Sequence, residues 1–494
     1  MKRLLLLFLF VPVLCFAQSF GFDDVPAEGG SSLPFSFEFG GEIEAGPVLF
    51  VNDFKGGENA EAISVWDFIN AYASFDINGK NAQAFIGLNL SYGAFEELEG
   101  DIKDGPAYPP ALIDEMWLRA YFDRINVQAG FIKLRWGRMY SPGPLDIANP
   151  LDYSDLTGLT ESKDMKIARP MIHASYNFGE FSSVEAVFLP NFAGHKFDLE
   201  GRWAPAEYTN AGSVFKQSVF DRALRKYPQL ALLGPGVLAG LQAGLPEFSP
   251  ELPGMSTPDF FQAGLRLNTV IGSSDFGFQY FYGNDPRPSV SIEGVDNFID
   301  DLAKKLSSLP PNSKPDYNLL SPHIEYTRYH QIGIDYSQVL FGFTIRAEFA
   351  AHITGDVSGD DGNVRNPFLA WAFGFDRDIF AGININVQCN ETIRLLDDKV
   401  GENRAMDCEA GTSVTSTRLI LQISKSFFME RLECKVVNIW DIEDSGLVII
   451  PSIAWSVNDT RIELSAGIFT GDEASELGQY CDNSYIKLIM TYSF

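Results

Sequence analysis

The sequence predicts an all-β fold, a transmembrane antiparallel β-barrel of about eighteen strands, with roughly sixteen as the alternative count. Three observations point to it. Apolar and polar residues alternate with period two in segment after segment, short and long connections take turns along the chain, and the chain opens on an export leader.

The leader comes first. Lys2 and Arg3 precede an apolar run from Leu4 to Phe16, with Ala17 and Gln18 behind it. These 13 residues fall short of the about twenty that a membrane-spanning helix needs, so the segment reads as a signal peptide cleaved after Ala17. Leu14 stands where a small residue precedes a lipidated cysteine, so Cys15 is not expected to carry lipid. The expected organisation is a signal peptide over 1–17, a short periplasmic segment over 18–33 and one transmembrane barrel over 34–494. A segment that short leaves no room for a plug domain, so any constriction comes from loops.

Composition narrows the partners. Cleavage takes the net charge from −28 to −30, because the leader carries two basic residues and no acidic one. Nucleic acid, which needs clustered Lys and Arg, is excluded. An acidic exterior attracts divalent cations or keeps loops solvated. The mean hydropathy of −0.02 excludes a helical bundle in lipid but not a barrel, where only alternate residues face lipid. Cys389, Cys408, Cys434 and Cys481 remain after cleavage and match no zinc or iron–sulfur spacing. Neither a metal nor another cofactor is expected.

The strands follow. Phe341, Phe343, Ile345, Ala347, Phe349 and Ala351 alternate with Gly342, Thr344, Arg346, Glu348 and Ala350. Phe276, Phe278, Tyr280 and Tyr282, then Ile383, Ile385 and Val387, then Ile462, Leu464, Ala466 and Ile468 do the same. Strands are expected near 34–51, 62–77, 81–94, 111–122, 126–136, 166–177, 181–190, 258–270 and 274–284. The rest are expected near 321–336, 340–353, 366–376, 380–395, 414–427, 431–440, 446–456, 460–470 and 482–494. Every second connection is short, as at Asn78-Gly79-Lys80, Asp123-Arg124, Asp376-Arg377-Asp378 and Asn458-Asp459. A soluble sandwich also alternates apolar and polar residues, but has no reason to segregate its loop lengths. Short periplasmic turns and long outer loops do so, with long loops near 136–165, 191–257 and 285–320. Trp66, Trp136, Trp440, Trp455 and Tyr492 fall near strand ends and suit an interfacial girdle.

The last strand carries a resemblance. Ile486, Leu488, Met490, Tyr492 and Phe494 form an alternating apolar face that ends on an aromatic residue. It resembles the C-terminal signal of Gram-negative outer-membrane barrels of the porin superfamily. The resemblance implies a bacterial outer-membrane location, recognition by the barrel-assembly machinery through Tyr492 and Phe494, and outer-membrane lipid as partner. A second resemblance lies in the proline- and glycine-rich stretch after the fifth strand, which follows the position of the inward-folded third loop of general porins. Its Trp136-Gly137-Arg138 followed by Asn149-Pro150-Leu151-Asp152 is similar to large substrate-selective porins of the alginate-export type. Arg138, Asp146 and Asp152 are the residues it offers for a constriction. It covers about thirty residues and carries over no substrate.

Strand parity supplies the rest of the expected pore. Opposite the apolar face stand Glu115, Arg119, Arg169, His173, Glu185, Arg266, Arg346, Glu348, Arg418, Arg461, Glu463 and Lys487. A lipid-facing Arg or Lys at mid-bilayer costs roughly 2–4 kcal/mol, so these charges belong inside. Arg119, Arg169, Arg266, Arg346, Glu348, Arg418, Glu463 and Lys487 are the pore-lining candidates, with Arg266 and Arg346 placed for a constriction. Ion pairs that brace the wall are the alternative role. Lys133 and Arg135 break the parity and stay unassigned. Helices are expected within the loops near 214–227 and 294–308, where Phe298, Leu302 and Leu306 share a face. The apolar run after the first helix is expected to pack into a cap, or to form a lid for hydrophobic solutes. The five histidines make no metal pair and no nucleophile motif appears, so no enzyme is expected. Any disulfide should join Cys408 to Cys481, since Cys389 and Cys434 point to lipid from separated strands. The function expected is a channel for passive diffusion of small solutes, with an oligomer open. The alternatives are a surface adhesin or structural barrel, and a transporter of hydrophobic compounds.

Overall fold

A computed structural model describes residues 35–53, 69–91, 108–160, 165–232, 235–245, 255–307, 316–401 and 407–494. The expected leader, the segment 18–33, Trp66 and the beginning of the second expected strand lie outside these residues.

The strands form one antiparallel sheet that closes on itself. The first part of the chain supplies β1 (Phe35–Ala45), β2 (Val48–Phe50), β3 (Ile69–Gly79), β4 (Ala82–Asn89), β5 (Ile113–Phe122) and β6 (Ile125–Ile132). Then come β7 (Arg169–Phe178), β8 (Ser182–Leu189), β9 (Gln262–Ile271) and β10 (Ser274–Asn284). After a two-stranded excursion, β11 (Ser289–Glu293) and β12 (Ser321–Glu325), the barrel resumes with β13 (Arg328–Leu340), β14 (Phe343–Thr354), β15 (Phe368–Asp378) and β16 (Ile383–Arg394). It ends with β17 (Thr415–Phe427), β18 (Leu432–Asp441), β19 (Gly446–Val457), β20 (Thr460–Thr470) and β21 (Tyr485–Ser493). β1 and β2 pair with successive parts of β21 and count as one strand, which makes an 18-stranded barrel. The seam is sealed where Gly41 and Phe494 exchange two backbone hydrogen bonds, both 3.0 Å.

The barrel is turned inside out relative to a soluble protein. Ile334 is 39% exposed while its neighbour Asp335 is 1% exposed, and Phe349 is 43% exposed beside Glu348 at 3%. The outer face is a band of Leu265, Phe278, Ile332, Ile453, Leu464 and Leu488, all exposed, and Trp440, Trp455 and Tyr492 are exposed with it. Burial of charge and exposure of large apolar side chains is the reverse of the usual distribution. The period-two pattern therefore sorts side chains into lumen and exterior as expected.

One end carries tight turns. Asp123, Phe341 and Asn458 have positive φ there, between 51° and 52°. Phe341 thus belongs to a turn with Gly342, and the outward face of β14 begins at Phe343. Likewise Asp376-Arg377-Asp378 continues β15, and the turn falls on Ile379–Gly382. The other end carries the long loops, with one exception: only residues 442–445 join β18 to β19. The expected strand at 321–336 divides, since Ser321–Glu325 pairs with β11 in a hairpin that lengthens that loop. Three helices, α1 (Ala206–Thr209), α2 (Ala211–Lys226) and α3 (Pro235–Ala243), stand in the loop after β8, and α4 (Val295–Ser307) follows β11. Phe215, Val219 and Leu230 pack against Phe298, Ile299 and Leu302 in one buried cluster, and Arg222 reaches Asp296 at 2.9 Å. The two loops bury each other's apolar residues, but of the apolar run expected to pack into a cap only Leu230 and Leu245 are buried in this cluster, while Leu232 and Val237 are exposed.

Candidate functional site

The segment between β6 and β7 folds into the barrel, and its own sequence explains why. Asn149 is buried and ties the two ends of the loop together. Its amide donates to Ile132 O (2.8 Å) and Ile167 O (2.9 Å), and its carbonyl accepts Leu134 N (2.8 Å). Asp146 pairs with Lys166 at 2.6 Å. Burial pushes the Asp146 carboxyl upward in pKa and the Lys166 charge opposes it. Asp152 caps Ser154 N (2.9 Å) and pairs with Lys196 at 3.3 Å. Lys133 lies just beyond the end of β6 and pairs with Asp114 of β5 at 2.5 Å, while Arg135 donates to the Met139 and Tyr140 carbonyls of its own loop.

Inside the barrel the loop backbone is held by side chains of several wall strands. Glu348 on β14 accepts three backbone N–H groups, from Arg138 (2.5 Å), Met139 (3.0 Å) and Leu145 (3.2 Å). Gly137, with φ +89°, and Gly143 permit this approach, because a Cβ on either would stand 2.4 Å from a Glu348 carboxylate oxygen. Gln388 on β16 binds Ser141 N and Ser141 O, both at 3.1 Å. Gln331 on β13 donates to Pro144 O (2.7 Å) and Gln279 on β10 to Leu145 O (2.9 Å). Asp335 on β13 accepts both Arg138 Nε (2.6 Å) and Arg266 Nη2 (2.5 Å). An irregular segment has unpaired backbone groups, and inside a barrel it needs wall side chains to satisfy them.

Several predicted residues meet here. Arg138, Arg266 and Glu348 converge through Asp335 and the loop backbone. Arg266 is buried and also donates to Gln279 Oε1 (3.0 Å) and Asn268 Oδ1 (2.9 Å). Trp136 is a correction. It was expected at the interface, but it is 2% exposed, packs edge-on to Phe281 at 6.3 Å and donates its indole N–H to Glu185 at 3.2 Å. Its place near a strand end was a coincidence of chain position, since the strand stops at Ile132.

The other candidates are spread around the inner face. Arg119 donates to Gln128 (2.8 Å) and lies over Trp117 (4.6 Å). Arg346 pairs with Asp376 toward the turn end. Arg418 holds Asp441 (2.6 Å) and Glu476 (3.2 Å) toward the loop end. Glu463 and Glu433 share Arg461, at 2.8 and 2.9 Å. Lys487 lies between Val48 and Ser465 on the same inward parity. Arg169 opens β7 and is fully buried. On the arc from β17 to β21 the inner wall also carries an apolar patch toward the loop end: Ile420, Val437, Ile439, Val448 and Ile450 pack under Leu156, Met165 and Trp203 of the loops. Cys408 and Cys481 do not pair; they are free, as are Cys389 and Cys434.

Sequence reading missed Asp335, Gln279, Gln331 and Gln388. Parity would have put all four inside, but they are too ordinary to stand out until the loop they bind is in place.

The chain has counterparts among known proteins. It is similar to the outer membrane channel DcaP of Acinetobacter baumannii at 10% identity and a TM-score of 0.38, over 95% of this chain and 100% of that one. It is similar to a mutant of the Rh. blastica porin at 9% identity and a TM-score of 0.35, over 93% of this chain and 100% of that one. No curated protein matches. The model of one family, described as a protein of unknown function (DUF1302), matches residues 74–395, and the chain belongs to that family.

Proposed function

We propose that this barrel spans the bacterial outer membrane and passes small hydrophilic solutes by diffusion, through a lumen narrowed by the loop segment 136–148. The carrying observation is the attachment of that segment to lumen-facing side chains of β10, β13, β14 and β16. A loop hung from several wall strands crosses the interior instead of capping the rim, so it bounds the passage beside it. The exposed apolar band with its aromatic residues suits a bilayer, and inward charge placement suits a water-filled interior. The barrel-assembly machinery would recognise the terminal strand with Tyr492 and Phe494. No catalytic role is proposed.

One observation favours a second reading. The apolar patch under Leu156, Met165 and Trp203 is sealed by loops, as in a structural barrel with an occluded lumen. Single-channel recording of the purified full chain in a planar bilayer, with liposome swelling in sugars of graded size, separates the two. Stable conductance and a size cut-off are expected. A barrel that inserts but conducts nothing and admits no sugar would leave the structural reading.

A further inference from the structure

A cation on the outer face of a barrel is costly unless it lies near the headgroups. Lys425 on β17 is on that face. It stands in register with Ile383 and Cys434 and shares its parity with Ile423 and Phe427, which are both exposed. Arg377 on β15 is a second, opposite Ile385 and on the parity of exposed Phe373. Each lies over a ring beside a tight turn. Lys425 Nζ is 4.7 Å from the centroid of Phe427, the last residue of β17, and Arg377 is 4.4 Å from that of Phe343, the first of β14. Among the described residues neither is paired with a carboxylate. Both heads lean toward the turns, as side chains that snorkel to the interface do. Exposed Trp455, in register with Leu432, stands one row nearer the turn than Lys425 and suits headgroup depth.

Beside Lys425 the outer face is dented. On three successive strands the outward positions hold small side chains, Cys434 on β18, Pro451 on β19 and Ala466 on β20. Pro451 has no N–H to give to β20. The two strands pair at Ile449–Ile468 and again at Ser452–Ser465, but not between. The result is a groove of about 590 Å³ walled by Ile423, Val436, Ile453, Leu464 and Ile486, with Lys425 and Phe427 at its β17 end. That volume falls within the range of small-molecule sites, roughly 300–1,000 Å³. An apolar groove with a cation at one end matches a molecule with an apolar tail and an anionic head.

We propose that this groove binds one anionic phospholipid of the leaflet on the turn side. An acyl chain lies over Cys434, Pro451 and Ala466, and the phosphate meets the Lys425 ammonium. Arg377, two strands away on the same face, adds to the positive field. The ammonium donates a charge-assisted hydrogen bond to an ionised phosphate oxygen, and a headgroup that carries its own cation gains less from it. A second copy of the chain could cover the apolar groove but would bring Lys425 no phosphate. The site rests on the membrane-spanning part of the proposed function and not on conduction.

The test is native mass spectrometry of the full chain, folded in detergent and titrated with dioleoyl phosphatidylglycerol or with dioleoyl phosphatidylcholine. One phosphatidylglycerol should be retained saturably, with phosphatidylcholine weaker by about fivefold or more. Lys425→Gln should remove most of that preference and Lys425→Arg should keep it, while Arg377→Gln should lower it by about twofold. Ala466→Phe, an apolar change on the outer face, fills the groove and should weaken both lipids by about threefold or more with the preference kept. Heat-modified gel mobility checks that each variant is folded. Equal retention of the two lipids, wild-type preference in Lys425→Gln, wild-type affinity in Ala466→Phe, or a dimer that excludes lipid would each overturn the site. Planar-bilayer recording is made on the same preparation. A barrel that inserts and conducts without the preference sinks this site alone, and one that shows the preference and inserts without conducting sinks the channel alone. A chain that never inserts sinks the membrane reading and the site with it.

Discussion

Glu348→Ala is the most direct perturbation of the inward loop. The carboxylate receives three backbone N–H bonds of 2.5, 3.0 and 3.2 Å. Hydrogen bonds to an ionised acceptor are worth roughly 1.5–3 kcal/mol each, so the three come to roughly 4–9 kcal/mol before the desolvation of the carboxylate is subtracted. That desolvation is itself several kcal/mol, which leaves a net of about 2–4 kcal/mol. The ratio of attached to detached loop should then fall by roughly 30- to 1000-fold. Detachment stays local, because Arg138 keeps Asp335 at 2.6 Å and Gln388 keeps Ser141. Glu348→Gln grades the effect. Its carbonyl can replace Oε1, which serves Arg138 and Met139, but its amide would face Leu145 N instead of accepting from it. Single-channel conductance should rise, with noisier open current, in the order wild type, Gln, Ala. Tryptic cleavage after Arg138 should accelerate in the same order. Equal conductance and equal cleavage in all three proteins would refute the reasoning.

Three further outcomes are expected. Asn149→Ala removes three buried bonds that tie the loop ends and should cost about 2–4 kcal/mol, read as a lower unfolding temperature of the detergent-folded barrel; Asn149→Asp, which keeps only the acceptor role toward Leu134, should fall between. Burial, and then Arg287, hold the His195 pKa down at about 4, against the pull of Asp285 and Glu476, and neutral Nδ1 accepts Leu151 N at 3.0 Å. Because the folded value lies below the unfolded 6.5, this contribution is full above pH 6.5 and is lost as pH falls toward 4. Proteolysis of the 151–196 region should therefore rise on acidification, and His195→Gln should flatten that dependence. Deleting Phe494 removes both bonds to Gly41 and the ring packed 5.4 Å from Phe39. Export should continue while the heat-modifiable barrel in the outer membrane declines; an undiminished barrel would show that the terminal residue is dispensable.

The barrel itself was legible in the chain because its determinants are local. Period-two alternation in segments such as Ile462–Ile468 sets which side chain faces which side, and that depends only on the pleat. Eighteen strands followed from counting those segments. Boundaries were blurred where a turn used an apolar residue, as at Phe341, or where a loop contained strands of its own, as at Ser321–Glu325. The inward parity of Arg266, Glu348 and Arg418 was likewise read directly.

What those residues do was not legible, because it depends on partners remote in sequence. Glu348 looked like a free lumenal charge; it is the acceptor for a loop 203–210 residues away. Arg266 looked like a constriction residue, and a buried carboxylate, Asp335, holds it against the wall. Trp136 looked interfacial and is buried inside. The sequence determined alternation, and alternation determines a barrel with a polar interior. Only the curvature of the folded sheet turned the inner faces of β10, β13, β14 and β16 toward one proline-rich loop. The backbone groups of that loop had to find partners there, and the geometry of the closed wall decided which side chains supplied them.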